Sequence, residues 1–341
     1  PNNRRDFLRR AGIAGLAGLG AVAGCKREPE TVVQPQTISE PTQSTASAPV
    51  AEPASVAYLR NSAVQPSPGE LDSEIVLELI DAGIQHVTGE DSADNAWNSL
   101  FSSDDAVAIK VNSIAPTVYS HPVVAYAVAQ RLMDIGVAPD QIIIWDRKVG
   151  ELAATGYELQ DAAGSLRIEA VGNEWDDAPT TQGQFSGRLA KIVTQRCSAI
   201  VNLPVLKDHS ISGVTLAMKN HYGSHDNPRD HHGNGGDPYI ADLNSIPAIR
   251  DKTRLIVGDC TRGCAQGGPY ASDPRWLWSP NGIMVATDPV AHDAYGAKVL
   301  SDKRSELGLG ALEPKHVATA AAMGIGSNDL GAMDVLDKDL A

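Results

Sequence analysis

Short apolar runs alternate with segments of helical spacing from Val56 to the end of the chain. Runs that are apolar at every position are typical of strands that are buried on both faces of a sheet. The pattern predicts strands over residues 56–59, 106–111, 141–145, 199–203, 214–218, 254–257 and 282–286.

The segments between these runs carry helix signals. Gly83 closes the first helical pattern, and Ser120 is a candidate N-cap because Pro122 falls in the first turn that follows it. The predicted helices cover residues 70–82, 92–101, 120–136, 289–300 and 314–323.

This alternation predicts the α/β class, with a mostly parallel sheet covered by helices on both faces. Residues 56–341 are predicted to form a single large domain, and a division into two lobes stays open. In open α/β sheets, ligands bind beyond the carboxyl ends of the strands, so the residues that follow each strand are the first candidates for a site.

Chargeable and amide side chains recur at those positions. Three lysines near strand ends would form a local anion site and could transfer protons, although a single lysine there also simply extends its amine into water. The predicted catalytic residues are Lys110, Asn112, Lys207, His209, Lys219 and Asn220. The predicted cofactor-binding or supporting carboxylates are Asp146, Asp259, Asp288 and Asp293, and Asp288 could instead cap the helix that begins at Pro289.

Five of the nine histidines fall within residues 209–232. Imidazole and carboxylate groups suit a divalent transition metal such as zinc, iron or nickel. We predict His209, His221 and His225 as metal ligands. The same His-, Asp- and Gly-rich composition also describes an ordinary solvated loop, so both interpretations stay open.

The chain has four cysteines, and they form no cluster motif. Cys260 and Cys264 are candidates for a small-loop disulfide in an oxidising compartment. Cys197 precedes an apolar strand and is expected to be a buried thiol. No closely spaced cysteine run is present, so no iron–sulfur cluster is expected.

The first 25 residues have the order of an export signal. Arg4 and Arg5 precede an uncharged Ala/Gly-rich run and resemble a twin-arginine signal, which implies the twin-arginine translocation machinery as a partner. The run ends in small residues before Cys25, which resembles a lipoprotein box; cleavage by an ordinary signal peptidase is the alternative. Residues 26–55, rich in Pro, Ser and Thr, predict a disordered linker. We therefore expect an exported protein on the periplasmic or cell-surface side, lipid-anchored to the membrane at Cys25.

Charge narrows the choice of partners. The 341-residue chain has a formal net charge of −14 at pH 7, and residues 1–24 contribute four arginines against one aspartate. The rest of the chain is therefore more acidic than the whole. This balance argues against nucleic acid as a partner, because phosphates require neutralisation by Lys and Arg. It leaves a small molecule as the expected ligand.

Two motifs carry a family resemblance, and their residues are Asn202, Pro204, Lys207, His209, Gly213, Thr215, Lys219, Asn220 and Gly223. With the Gly267–Pro269 run and the segment around Asp288 and Asp293, they resemble the domain-of-unknown-function 362 family over residues 56–329. The resemblance implies an α/β domain and a shared site without an agreed activity. Some members carry a ferredoxin-like cluster domain, whose cysteines this chain lacks.

Two functions follow from these observations. The leading hypothesis is a metal-dependent enzyme, exported and lipid-anchored, that acts on a small anionic or carbonyl-bearing substrate. The alternative is a non-catalytic envelope lipoprotein that binds a metal or another ligand. A catalytic site gathers several kinds of polar side chain, whereas a binding module does not require them at many strand ends.

Overall fold

The computed structural model describes residues 53–65, 67 and 69–340. The predicted export signal, Cys25 and all but the last three residues of the predicted linker lie outside the described residues. The described residues belong to one compact unit, which spans residues 51–341.

A mixed, mostly parallel sheet forms the centre of this unit. Its main path runs β13-β1-β12-β10-β7-β2-β3-β4, while β8, β9 and β11 attach to it through β10 and β8, and β5 pairs with β6 in a separate hairpin. The strands are β1 Ser55–Arg60, β2 Val107–Lys110, β3 Ile142–Asp146, β4 Arg167–Ala170, β5 Thr180–Gln182, β6 Phe185–Gly187, β7 Ala199–Asn202, β8 Val205–His209, β9 Gly213–Thr215, β10 Thr253–Cys264, β11 Leu277–Trp278, β12 Gly282–Ala286 and β13 Asp334–Asp339.

Strand direction confirms the predicted α/β class. Strands β10, β7, β2, β3 and β4 are parallel neighbours. Strand β12 runs antiparallel to both β10 and β1, so it marks where the parallel part of the sheet ends. The carboxyl ends of β2 and β3 therefore lie at the same edge of the sheet.

Helices connect these strands. They are α1 Ser73–Thr88, α2 Ala93–Leu100, α3 Pro122–Asp134, α4 Val149–Ala154, α5 Ala217–Asn220, α6 Tyr239–Ser245, α7 Pro247–Arg250, α8 Pro289–Glu306 and α9 Lys315–Ala322.

Some of the predicted boundaries are wrong. Helix α1 continues through Gly83 and ends before Gly89, whose φ of 70° forms a left-handed cap. His121 rather than Ser120 is the N-cap of α3. The predicted strand 214–218 breaks after β9, and Lys219 lies in the short helix α5 rather than at a strand end.

The sheet separates two apolar layers. In β2, Val107 and Ile109 pack with the layer that contains Leu79 of α1 and Val128 of α3. Ala108, between them, packs on the opposite layer with residues of α6 and α7. This alternation follows from the two-residue period of a strand, and it confirms that helices cover both faces.

Strand β10 is longer than the predicted strand 254–257 because it has partners along its whole length. Its first half pairs with β7, and its second half pairs with β8 and β11. Cys260 and Cys264 both lie on it as free thiols, so the predicted disulfide is wrong. Residues four apart on a strand are about 13 Å apart, beyond the reach of a disulfide. Cys197 is buried as a free thiol, as expected.

None of the helices within the described ranges is long and apolar enough to cross a membrane.

Candidate functional site

A cleft of about 620 Å³ opens at the carboxyl ends of β2 and β3. Helix α5, the segment after it and the loop around Gly268 close its other sides. Its lining residues are Lys110, Asn112, Ile114, Asp146, Arg147, Lys148, Glu151, His209, Ser210, Ile211, Thr215, Lys219, Asn220, Tyr222, Gly223, Pro228, Arg229, His232, Gly267, Gly268, Pro269 and Tyr270. Five of the six predicted catalytic residues are among them.

An ion pair forms one wall of the cleft. The Nζ atom of Lys110, 1% exposed, donates to Oδ1 of Asp146 at 2.8 Å. Oδ2 of Asp146 accepts from both the backbone N–H and the hydroxyl of Ser113. Burial raises the pKa of Asp146, but Lys110 and Ser113 outweigh it and hold that pKa below its ordinary value. Gly223 approaches this pair so closely that a Cβ there would lie 2.8 Å from the Lys110 Nζ.

A chain of side-chain amides lies beside the ion pair. Lys207 donates to Oδ1 of Asn112 at 3.0 Å, and Nδ2 of Asn112 donates to Oδ1 of Asn220 at 3.0 Å. Asn220 in turn donates to Oδ1 of Asn202 at 2.7 Å, and Asn202 donates to the Ala217 carbonyl. Each amide orients the next, so Asn112 and Asn220 present fixed faces to the cleft.

Lys207 is the predicted catalytic residue that does not line the cleft. It is fully buried behind Asn112, and its second acceptor is the Val118 carbonyl. Burial lowers the pKa of Lys207 to about 7. Its amine therefore holds neutral oxygens in place, which is a positioning role.

Lys219 faces the cleft with an unusual set of neighbours. It is 5% exposed, and none of the described carboxylates lies within ion-pair distance of its amine. Nζ lies 3.0 Å from Nε2 of His232 and 3.2 Å from the centre of the Tyr222 ring. Burial, assisted by Arg147, lowers the pKa of Lys219 well below its ordinary value. The imidazole nitrogen accepts, because Nδ1 of His232 donates to the Pro228 carbonyl at 2.7 Å.

His209 stacks on His232, with ring centres 5.5 Å apart. Nδ1 of His209 accepts from the backbone N–H groups of Ile211 and Ser212. Burial and the nearby Lys219 lower the pKa of His209 to about 3, so the ring is neutral at physiological pH. Neutral His209 therefore carries its proton on Nε2, and both imidazoles beside Lys219 are uncharged.

The predicted metal ligands do not converge. His221 lines a separate pocket near Asp288 and hydrogen-bonds Ser224, whereas His225 packs against Phe185. Burial lowers the pKa of each of these two histidines to about 3. No group of three His, Cys, Asp or Glu side chains in the described part of the chain is placed to hold a metal ion. The predicted ligand set is therefore wrong.

Three of the four predicted cofactor-binding aspartates serve the fold instead. Asp288 caps α8 through Val290 and Ala291, and Asp293 accepts from the backbone N–H groups at the start of α5. Asp259 binds His121, away from the cleft. Asp146 alone of the four lines the cleft. A carboxylate that follows a strand is as useful for binding backbone N–H groups as for binding a ligand, and the sequence pattern does not separate the two.

Sequence reasoning missed His232, Tyr222 and Arg229 as lining residues. His232 belongs to the histidine-rich segment that the sequence marks, but its distance along the chain gave no reason to prefer it over His221 or His225. Tyr222 stands between two residues of the second family motif, Asn220 and Gly223, and its aromatic ring within that motif was the available signal.

The sequence pattern of the family described as "Domain of unknown function (DUF362)" matches residues 107–298, which is more than half of the chain. The chain belongs to the DUF362 family. The matched range includes all the predicted catalytic residues and β2, β3, β8 and α5, so the cleft is built from the DUF362 region. The predicted resemblance is thereby confirmed.

Two solved structures are similar to this DUF362 protein at low identity. One is the lactate racemase apoprotein from Thermoanaerobacterium thermosaccharolyticum, with a TM-score of 0.40, 10% identity, and coverage of 74% of this chain and 58% of that chain. The other is a protein from Thermotoga maritima, with a TM-score of 0.40, 8% identity, and coverage of 74% and 59%. The chain therefore spans less than two thirds of either protein. No curated protein matches it.

Proposed function

We propose that this DUF362 protein is an enzyme that acts in the cleft on a small carbonyl compound carrying an anionic group, with the Lys219 amine as its nucleophile. The observation that carries the proposal is the position of Lys219. Its amine is buried at the cleft wall beside two neutral imidazoles, and no described carboxylate is close enough to hold it as an ammonium. A lysine that is desolvated in this way is an activated amine.

The proposed step is imine formation. The Lys219 nitrogen adds to the carbonyl carbon, a proton moves from nitrogen to oxygen, and the resulting carbinolamine loses one water to leave a C=N bond. No oxidant or reductant is required. His232, whose Nε2 lies 3.0 Å from Nζ, can take the proton from nitrogen and, as an imidazolium, return it to the departing oxygen. The Nε2–H of neutral His209, which stacks on His232, can donate a hydrogen bond to that oxygen.

The remaining lining residues support recognition of an anion. Arg229 lines the cleft, is exposed, and forms no ion pair with any described carboxylate. Arg147 and Lys110 are held by Glu151 and Asp146, respectively. We therefore assign the anionic group of the substrate to Arg229, since a guanidinium binds carboxylate and phosphate with two parallel hydrogen bonds.

Borohydride trapping tests this proposal. The purified protein is incubated at neutral pH with glyoxylate or pyruvate, reduced with sodium borohydride, digested, and mapped by mass spectrometry. We expect one reductive adduct, on the peptide that contains Lys219, and no adduct in Lys219→Met. Lys148, at the cleft rim with a 63% exposed side chain, serves as an internal control that stays unmodified. Equal labelling of Lys148 and Lys219, or undiminished labelling of Lys219→Met, would contradict an activated Lys219.

A divalent metal remains a separate prediction. Within the described residues the cleft offers two stacked imidazoles and two carboxylates, of which Asp146 is already bound to Lys110 and Glu151 to Arg147, so its donors do not fit a three-ligand site. The proposed step requires no metal. Elemental analysis of the purified protein checks this prediction: a stoichiometric metal that survives dialysis supports it.

We also propose that the protein is exported by the twin-arginine route and lipid-anchored at Cys25. The support is the order of basic, apolar and small residues before that cysteine and the Pro/Ser/Thr-rich segment that follows it. Such a segment would act as a flexible tether between the membrane and the folded unit.

A further inference from the structure

A further pocket, of about 300 Å³, lies near the N-terminal end of α3 and shares no lining residue with the cleft. His121, Arg262 and Trp278 contribute its imidazole, guanidinium and indole groups. These residues come from the start of α3, from β10 and from β11. The proposed function uses none of them.

A buried carboxylate fixes the imidazole of this pocket. Nδ1 of His121 lies 2.8 Å from Oδ2 of Asp259, and the backbone N–H of His121 donates to the same oxygen. The other oxygen, Oδ1, accepts from the hydroxyl and the backbone N–H of Thr261. The Thr261 hydroxyl donates its hydrogen bond to Asp259. We infer that Nδ1 of His121 carries a proton and donates a hydrogen bond to the same carboxylate. Nε2 is the ring nitrogen that stays free of partners among the described residues.

The charges around this nitrogen favour an anion. Burial lowers the pKa of His121, but the Asp259 carboxylate outweighs it and holds that pKa above its ordinary value, while Arg262 opposes this. Arg262 is half-buried and forms no ion pair with a described carboxylate. When His121 is protonated, its imidazolium and the Arg262 guanidinium give the pocket an excess of positive charge in an acidic chain.

The apolar wall of this pocket determines which kind of group can be attached to the bound anion. The ring of Trp278 lies against Gly263, where a Cβ would lie 2.6 Å from the indole. Leu277 and Pro274 continue this wall. A planar apolar group can stack on an indole, as aromatic rings do with offset or edge contacts.

We propose that this pocket is a second binding site, which takes a small aromatic carboxylate, with its carboxylate between Arg262 and His121 and its ring against Trp278. The carboxylate would receive paired N–H groups from the guanidinium and one from the Nε2 of His121. The proposal is independent of imine formation in the cleft.

Calorimetric titration with benzoate tests the site. We expect the wild type to bind benzoate, and Arg262→Gln to bind it roughly tenfold more weakly, since one charge-assisted pair is lost. Arg275→Gln is the matched control: Arg275 is exposed, already paired with Asp273, and lies outside the pocket lining. The indole N–H resonance that disappears in Trp278→Phe should shift on titration.

His121→Asn provides the second arm, because its amide can still donate to Asp259 while the Nε2 position is lost. The wild type should bind benzoate more weakly as the pH rises and His121 loses its proton, whereas His121→Asn should not show that decline. The other titratable or charged groups facing His121 are Asp259, Arg262 and Tyr119, and all three are kept in this variant.

Three results would overturn the second site: no benzoate binding by the wild type, equal binding by Arg262→Gln and Arg275→Gln, or loss of binding in Lys219→Met. The last result would place benzoate in the cleft. A parallel titration with inorganic phosphate tests whether the aromatic ring of the ligand contributes to binding. Phosphate binding as tight as benzoate binding would show that stacking on Trp278 contributes nothing to the affinity.

Discussion

Three lysines are buried in the part of the chain that the structure describes, and each amine has a different partner. Lys110 has a carboxylate, Lys207 has two neutral oxygens, and Lys219 has an imidazole nitrogen and an aromatic face. Burying an ammonium without a counter-charge is costly, so a buried lysine lowers its pKa and releases its proton. Lys207 and Lys219 follow this rule most strongly, and they serve different purposes: one positions an amide and the other faces the cleft.

Lys219→Met should stabilise the protein while abolishing adduct formation. The replacement keeps a similar volume but removes a buried amine, and we expect a gain of about 1 kcal/mol in the free energy of unfolding. Urea denaturation measures it. Lys298→Met, at a lysine exposed on α8, is the control and should change stability by less than about 0.5 kcal/mol. A destabilised Lys219→Met would show that the amine contributes to folding.

Because of Lys207, the free energy of unfolding of the protein should increase as the pH rises. Its pKa is about 7 in the folded state, against an ordinary value of 10.5. Between these values the unfolded chain binds more protons, so stability rises with pH, by about 1 kcal/mol per pH unit from this group. Urea denaturation of the wild type and Lys207→Met at pH 7, 8 and 9 isolates the effect, because the variant lacks this contribution. Parallel curves for the two proteins would exclude it.

Helix α1 packs so closely on the sheet that a glycine is required in its middle. A Cβ on Gly83 would lie 2.6 Å from Cγ2 of Val285 in β12. The sequence pattern ends the helix at this glycine because glycine is a poor helix former, and the pattern does not show that the sheet requires the missing side chain. The helix continues to Thr88 because its apolar face remains buried against the sheet.

Gly83→Ala should therefore destabilise the protein despite the better helix propensity of alanine. Overpacking against Val285 outweighs the gain in propensity, and we expect a net loss of about 1–2 kcal/mol in the free energy of unfolding. Gly150 in α4 is the matched control, because a Cβ there meets open space. Gly150→Ala should be neutral or stabilising, and thermal unfolding of both variants measures the contrast. Equal changes in stability for the two variants would contradict overpacking of Gly83→Ala against Val285.

Helix α9 carries a buried histidine with two unsatisfied nitrogens. His316 is fully buried, neither Nδ1 nor Nε2 has a hydrogen-bond partner among the described residues, and burial lowers its pKa to about 4. Below pH 6.5 the unfolded chain binds the proton first, so this residue costs stability as the pH falls toward 4.

His316→Leu should become more stable than the wild type by a margin that widens over that range, by about 1 kcal/mol per pH unit. Chemical denaturation at pH 6.5, 5.5 and 4.5 measures the margin. A margin that stays constant with pH would show that His316 keeps an ordinary pKa in the folded state.

At the scale of the whole molecule, the sequence predicted the sheet and most of the cleft. Apolar runs locate β2, β3 and β7 because these strands are buried on both faces, and the strand-end rule then brings Lys110, Asn112 and Asp146 together. The second half of β10 was missed because its Gly, Asp and Cys residues resemble a loop, and pairing with β8 and β11 makes it a strand. The contact between Lys219 and His232 depends on how the segment after α5 folds back over that helix. A local sequence pattern does not predict this path, so it could not show which histidine lies beside Lys219.

The placement of the folded unit in the cell is a further prediction at this scale. In a bacterial host with an intact twin-arginine pathway, the wild type should fractionate with membranes, and Cys25→Ser should move to the soluble fraction. Replacing Arg4 and Arg5 by lysine should block export of the full chain. Immunoblots of cell fractions measure both effects, and membrane association of Cys25→Ser equal to that of the wild type would argue against acylation at Cys25.

The amide chain that starts at Lys207 is also a barrier to protons. A side-chain amide donates and accepts hydrogen bonds, but it does not readily take up a proton on one side and release it on the other. Asn112 and Asn220 separate Lys207 from the cleft in this way. The amide chain therefore orients its side chains through hydrogen bonds but does not carry a proton between Lys207 and the cleft. The pH dependence of adduct formation in the cleft should therefore follow Lys219, and the titration of Lys207 should be visible in stability alone.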